Sequence, residues 1–185
     1  MRADQEIEKL KNDIFSDNSD KIKAAADRLF EIGGQENIDY LIKLVEQENS
    51  KIRDVVALLI RDNELNEALE PLLKSINKKE FKGYTGTMVY ALEKLDCSKK
   101  LNELFDLLFG GSSYEVQNHV LTILNEQTFE FTTEDISRIK EKWDKLEKDW
   151  NRLNNIDEEN ISSFDIDKKV IQEFVDGYVS YLEQT

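Results

Sequence analysis

The segment KIKAAADRLFEIGG, beginning at Lys21, returns further down the chain. Set over KIRDVVALLIRDNE at Lys51, it places Ile22 on Ile52, Lys23 on Arg53, Ala26 on Val56, Leu29 on Leu59 and Phe30 on Ile60, an offset of 30 residues. A further step of 33 brings TGTMVYALEKLD, with Val89 and Leu92 at the same apolar positions, and a step of 31 brings VQNHVLTILNEQ, with Val120 and Ile123 there. Each copy follows another apolar stretch with helical spacing: EIEKLKNDIF, NIDYLIKLVEQ, LNEALEPLLKSI and KLNELFDLLF. The recurring unit is therefore a helical hairpin. One such hairpin cannot bury its apolar face alone, so copies at this period must stack and share a core.

Turn chemistry agrees with these divisions. Gly33 and Gly34 are placed to close the first pair and Gly110 and Gly111 to close the seventh helix, while Asn18, Asn49 and Ser112 precede helices as N-caps do. Pro71 lies inside a helical pattern and either starts a helix or bends it. A single proline, seven glycines and 35% charged residues suit a mostly helical chain.

The copies resemble HEAT-type repeats, in particular the short phycobilisome-lyase-like variety, over residues 3–128. The resemblance rests on the apolar-basic step at Ile22-Lys23 and Ile52-Arg53 and on Pro71 in the first helix of the third unit; Gly86 and Gln117 depart from it at the basic position. It implies an all-α fold: a right-handed α-solenoid of about four HEAT-like hairpins, closed by a C-terminal long-helix hairpin. The expected organisation is an array over residues 1–130 and a hairpin over 131–185 packed on it as one domain. Such repeats serve many functions, so the resemblance speaks to fold more than to activity.

The C-terminal third differs in kind. From Thr132 a long helix carries Ile136, Ile139, Trp143, Leu146, Trp150 and Leu153 at alternating steps of 3 and 4, a seam for a second helix. After the acidic stretch NNIDEENISSFDID, the last helix offers Val170, Ile171, Phe174, Val175, Tyr178, Val179 and Leu182. An intramolecular cap on the last repeat is the simpler reading; a dimer or partner-helix surface is the other.

Little in the sequence points to chemistry. His119 is the single histidine and falls in register with Ala25, Val55 and Met88, on the packing side, with no Ser or Cys nucleophile placed beside it. One histidine cannot build the multi-histidine site of HEAT-type di-iron hydroxylases. DNSDK at Asp17 lacks the glycine and distal glutamate of a calcium loop, and the acidic stretch over 157–167 reads as a solvated turn. Cys97 is the lone cysteine, so no internal disulfide and no CxxC zinc pair arises. We expect no catalytic, cofactor or metal site. The N-terminal MRADQEIEKL has no signal-like apolar core and no run is long enough to span a bilayer, which leads to the expectation of a cytoplasmic protein of bacterial type.

Charge narrows the partners. The formal net charge is −14, with the acidic excess concentrated in residues 1–77 and 155–185. Such a surface repels phosphate backbones and anionic lipid and favours basic proteins. HEAT-like DNA glycosylases hold DNA in a basic groove; here Lys23, Arg53, Arg61 and Lys94 are interleaved with Asp27, Glu31, Asp54 and Asp62, so nucleic acid is not expected.

What the repeats offer is a surface. Second helices generally line the concave side of stacked pairs, and the repeat offsets give three outward rows. They are Ala24, Asp54, Thr87 and Asn118; Asp27, Ala57, Tyr90 and Leu121; and Glu31, Arg61, Lys94 and Asn125. Tyr84 and Phe81 stand at the head of the third second-helix. The predicted partner-binding residues are Asp27, Glu31, Asp54, Arg61, Tyr84, Thr87, Tyr90, Lys94, Asn118, Leu121 and Asn125. Aromatics beside mixed charge are typical of protein interfaces. The chain is expected to be a non-enzymatic binding protein, monomeric or a weak dimer. Its size, charge and solenoid resemble immunity proteins that neutralise toxin domains. A general adaptor in a larger assembly is the competing expectation; a lyase or glycosylase on the same scaffold is a weaker third.

Overall fold

A computed structural model of the chain describes residues 2–110, 113–154 and 168–181. Among them, regular structure is helical, with no strand. Two compact units form, Met1–Asp96 and Cys97–Thr185.

In the first unit α2 and α4 are capped by asparagine side chains, and glycines mark the passage from α2 to α3. α1 (Arg2–Asp13) precedes α2 (Ser19–Ile32), whose first turn is capped by Asn18: its side chain accepts from the Asp20 and Lys21 amides at 2.9 and 3.1 Å. Gly33, with φ of 73°, ends α2 and donates its N–H to the Phe30 carbonyl at 2.9 Å; Gly34, with φ of 86°, opens α3 (Gln35–Lys43). Both positions lie in the left-handed region that glycine enters at least cost. α3 tightens into a 3₁₀ turn at Leu44–Glu46, and Asn49 then caps α4 (Ser50–Asp62), accepting from the Lys51 amide at 3.0 Å. A 3₁₀ turn at Asn66–Ala68 leads into α5 (Leu69–Ile76). Pro71 is thus a third residue of α5, in the first turn, where no intrahelical donor is needed; it starts the helix and does not bend it. α6 (Gly86–Leu92) completes the unit.

α1 packs on α2, α3 on α2 and α4, and α5 on α6; the second helices α2, α4 and α6 contact one another in sequence order. The register positions supply the core. Ile22, Ala26 and Leu29, then Ile52, Val56 and Leu59, then Val89 and Leu92 are all buried, with Thr85 buried where the third copy breaks the apolar pattern. Each large aliphatic side chain so buried contributes about 2 kcal/mol.

The basic position of the repeat proves structural. Arg53 is 2% exposed and donates from one guanidinium nitrogen to the Gln47 and Glu48 carbonyls at 2.7 and 2.8 Å, just past the 3₁₀ turn that ends the preceding helix. Its guanidinium lies 4.0 Å from the centre of the Phe81 ring. Burial lowers its pKa from the ordinary value, and the neighbouring Asp54 charge opposes that. Gln117, at the same register in the fourth copy, is buried and donates to the Leu108 carbonyl at 3.3 Å. An arginine and a glutamine thus do one task, supplying donors to carbonyls that a helix terminus leaves over. Lys23, at this position in the first copy, is exposed and pairs with Asp27.

The second unit contains α7 (Leu101–Phe109), α8 (Tyr114–Glu126), α9 (Thr133–Asn154) and α10 (Lys168–Val179). α7 pairs with α8 and α9, and α9 with α10. Val116, Val120 and Ile123 are buried at their register positions. Gly110 ends α7, while the cap of α8 is Ser113, accepting from the Val116 amide at 3.5 Å; Gly111 and the predicted cap Ser112 lie outside the described residues. α9 opens on a capping box: the Thr132 amide donates to Asp135 Oδ2 at 2.8 Å and the Asp135 amide to Thr132 Oγ1 at 3.2 Å. Asn102 of α7 donates to the other Asp135 oxygen at 2.7 Å. The seam of α9 is buried at Ile136, Ile139 and Trp143, and α10, which packs on α9, is buried at Ile171 and Val175. The Trp143 indole N–H donates to Gln172. The side chains of Trp150 and Leu153, Leu182 and the acidic stretch 155–167 lie outside the described residues.

Candidate protein-binding face

The first unit presents eight of the predicted partner-binding residues. Asp27 and Glu31 come from α2, Asp54 and Arg61 from α4, Thr87 and Tyr90 from α6, with Tyr84 just before α6 and Lys94 just after it. None is buried. The helix-to-helix register breaks in two places. Ala57, between Asp27 and Tyr90 in its row, is fully buried. Lys94 is exposed but stands beyond α6, where Glu93, Lys94 and Leu95 donate to the carbonyls three residues back and tighten the chain.

Charge on this face is locally matched. Lys23 donates to Asp27, and that bond, with the Asp27 and Asp62 charges, raises the lysine pKa. Arg28 donates to Glu31 at 3.2 Å and to Glu6 of α1 at 3.0 Å. Arg61 donates to Asp62 at 3.3 Å and lays its guanidinium 4.0 Å from the centre of the Tyr90 ring. Stacking of this kind holds both side chains flat without removing the cation from reach of a partner's carboxylate.

Tyr84 is the most exposed large hydrophobic residue among those described, at 67%. The backbone explains its position. Lys82 (φ −54°, ψ 126°) and Gly83 (φ 88°) form a type II turn, closed by the Tyr84 amide donating to the Phe81 carbonyl at 2.9 Å. The turn buries Phe81 under Arg53 and turns Tyr84 outward. Phe81, expected beside Tyr84 as an exposed aromatic, is 4% exposed, because it forms the platform for the buried guanidinium. Between the two rings lies a hollow of about 490 Å³ whose wall includes Glu48, Ser50 and Glu80. The repeat pattern did not single out these three, because they sit in the joints between helices. Arg53, grouped by sequence with the groove cations, lines the hollow but is committed to backbone carbonyls.

Asn118, Leu121 and Asn125 belong to α8 of the second unit. Asn118 and Asn125 are exposed and Leu121 is half-buried. Asn125 borders a separate cavity of about 680 Å³ lined by Phe129, Phe131, Phe174, Tyr178 and Tyr181. Sequence reasoning assigned the α10 rings to helix packing and passed over the two phenylalanines. The signal for them is FEF at 129–131: alternate residues of an extended segment project to one side, and Gln127, just upstream, is extended.

His119 is half-buried on α8, and Cys97 is buried, its amide donating to Gln127 Oε1 at 3.0 Å. Among the described residues no group of three or more His, Cys, Asp or Glu is placed to hold a metal ion, and no helix is long and apolar enough to cross a membrane. In comparisons with known proteins, no protein-family model, no curated protein and no solved structure matches the chain.

Proposed function

We propose that this chain is a non-enzymatic protein-recognition module whose first unit captures a basic protein. The observation that carries the proposal is Tyr84: a 67% exposed ring, fixed by a tight turn beside a hollow whose wall includes Glu48 and Glu80. A lysine or arginine side chain docking on the exposed ring meets its face beside a wall in which Glu48 and Glu80 stand against one cation, Arg53, already bonded to backbone carbonyls. Arg61 stacked on Tyr90 supplies a second, pre-ordered anchor, and the Asp27–Lys23 and Arg28–Glu31 pairs form a polar rim. The net charge of −14 steers a cationic surface toward this face.

In its most specific form the proposal is an immunity-type inhibitor in the cytoplasm that covers a cationic toxin domain. The small acidic chain and the HEAT-like reading of its helical pairs support that form. The test uses purified chain as bait against a lysate of the source cells, at low and high salt, followed by affinity measurement on the retained partner. A basic partner whose binding weakens with salt, and weakens at least about tenfold in Tyr84→Ala, is the expected result. Salt-independent binding, or a Tyr84→Ala variant of unchanged affinity and fold, refutes it.

A further inference from the structure

The second unit holds a cavity that packing alone does not explain. Tyr178 of α10 is walled by three rings nearly at right angles to it: Phe105 at 5.5 Å and 86°, Phe131 at 5.6 Å and 77°, Phe129 at 6.5 Å and 69°. Phe131 also meets Tyr181 at 5.5 Å and 64°. Edge-to-face contacts of this kind fix ring orientation. Yet the rings on one side close on open space of about 680 Å³, a volume typical of small-molecule sites.

Gly177, exposed on α10, also borders this space. It lies within α10, where glycine is among the poorest helix formers, and a Cβ built on it would meet no atom within 4 Å. No protein group therefore requires the missing side chain.

The lining states the charge of an occupant. Among the described residues that line it there is no lysine, arginine or histidine. Its polar residues are Asn125, Gln127, Thr128, the tyrosines and Glu173, whose carboxylate stands 3.7 Å from the exposed Lys169. Burial, and to a lesser degree Tyr181, pushes the Tyr178 hydroxyl up to about 12, so it remains a neutral donor at ordinary pH. Ring faces are electron-rich, and with one carboxylate beside them they attract cations and repel anions. We infer that this cavity binds a small organic ammonium ion with an apolar or aromatic body, the body against the rings and the ammonium toward Glu173. The inference is independent of the reading of the first unit.

The test is an NMR titration of the full chain with three probes of one shape and different charge: phenethylammonium, phenethyl alcohol and phenylpropionate. Phenethylammonium is expected to give saturable shifts at Asn125, Phe131, Gly177 and Tyr181 with a dissociation constant on the order of 1 mM, the alcohol weaker binding and the anion none. Glu173→Gln should weaken the ammonium about threefold and leave the alcohol unchanged. Gly177→Leu should fill the cavity and abolish binding of both with helicity retained. Should that variant fold poorly, Tyr181→Ala, at a site 55% exposed, should weaken both probes. Shifts that do not saturate or fall elsewhere, an anion that binds as well as the cation, or a folded Gly177→Leu chain that binds like the parent, each overturns the inference.

Discussion

Replacing Arg53 by Met tests whether the basic position of the repeat is a joint or a surface. In the folded chain this guanidinium gives charged donors to two carbonyls at 2.7 and 2.8 Å and rests on Phe81. Charge-assisted bonds of this kind contribute about 1.5 kcal/mol each, and the partly desolvated stack adds about 1 kcal/mol. Against this stand the cost of burying the cation and a buried Nε with no partner, while methionine recovers much of the apolar contact. The balance is a loss of about 2 to 3 kcal/mol, most of it from the Gln47 and Glu48 carbonyls left without their donor. Urea denaturation followed by far-UV circular dichroism reads this as a midpoint lower by about 1 M. The matched control is Lys23→Met, the same register position but exposed, where loss of the pair with Asp27 should cost under about 0.5 kcal/mol. An Arg53→Met chain as stable as its parent, or a Lys23→Met chain equally damaged, refutes the assignment of Arg53 as the cap of the preceding helix.

Other perturbations have equally defined outcomes. Asn18→Ala removes the acceptor for two amides of α2 and should cost about 1 kcal/mol in the same denaturation experiment, with Asn18→Gly costing less. Trp143→Ala, deleting an α9 side chain 1% exposed that meets Phe109 of α7 and Gln172 of α10, should cost about 3 to 5 kcal/mol and loosen α10 in hydrogen exchange. Asp135 has its pKa lowered first by the Thr132 hydroxyl and amide, then by Asn102, so its contribution is present above its ordinary value of 3.8 and is lost as pH falls below it. The stability gap between Asp135→Asn and the parent should therefore be largest near neutrality and should close in acid, as followed by thermal melts across pH.

The repeat register was legible because burial obeys it. Ile22, Ile52 and Val116, and likewise Leu29, Leu59, Leu92 and Ile123, fall on one line in the sequence and all are buried in the structure. Asn18 and Asn49 were legible as caps because an amide side chain before an apolar-periodic run has few better uses. The seam Ile136, Ile139, Trp143 was legible for the same periodic reason. The direction of the basic position was not. Arg53 turns inward because two spare carbonyls of the preceding turn and the Phe81 platform, which is distant in sequence, await it; Lys23 has no such setting and turns outward. The burial of Phe81 follows from the same contact. Ala57 shows a similar limit: its outward register is overridden by the close approach of α4 to its neighbours. The division between Asp96 and Cys97 carries no glycine or proline to mark it. The ring cluster around Tyr178 joins residues from α7, the 127–132 segment and α10, a juxtaposition no local pattern encodes.

Both tryptophans of the chain, Trp143 and Trp150, fall in α9 and so in the second unit, whereas the first unit has none. Indole emission is consequently a private channel for one half of the molecule, while the amide ultraviolet signal sums over both. Recording the two side by side through a single melt separates the halves without labels, tags or truncation: superimposed curves mean that the halves come apart together, and displaced curves give the order in which they let go.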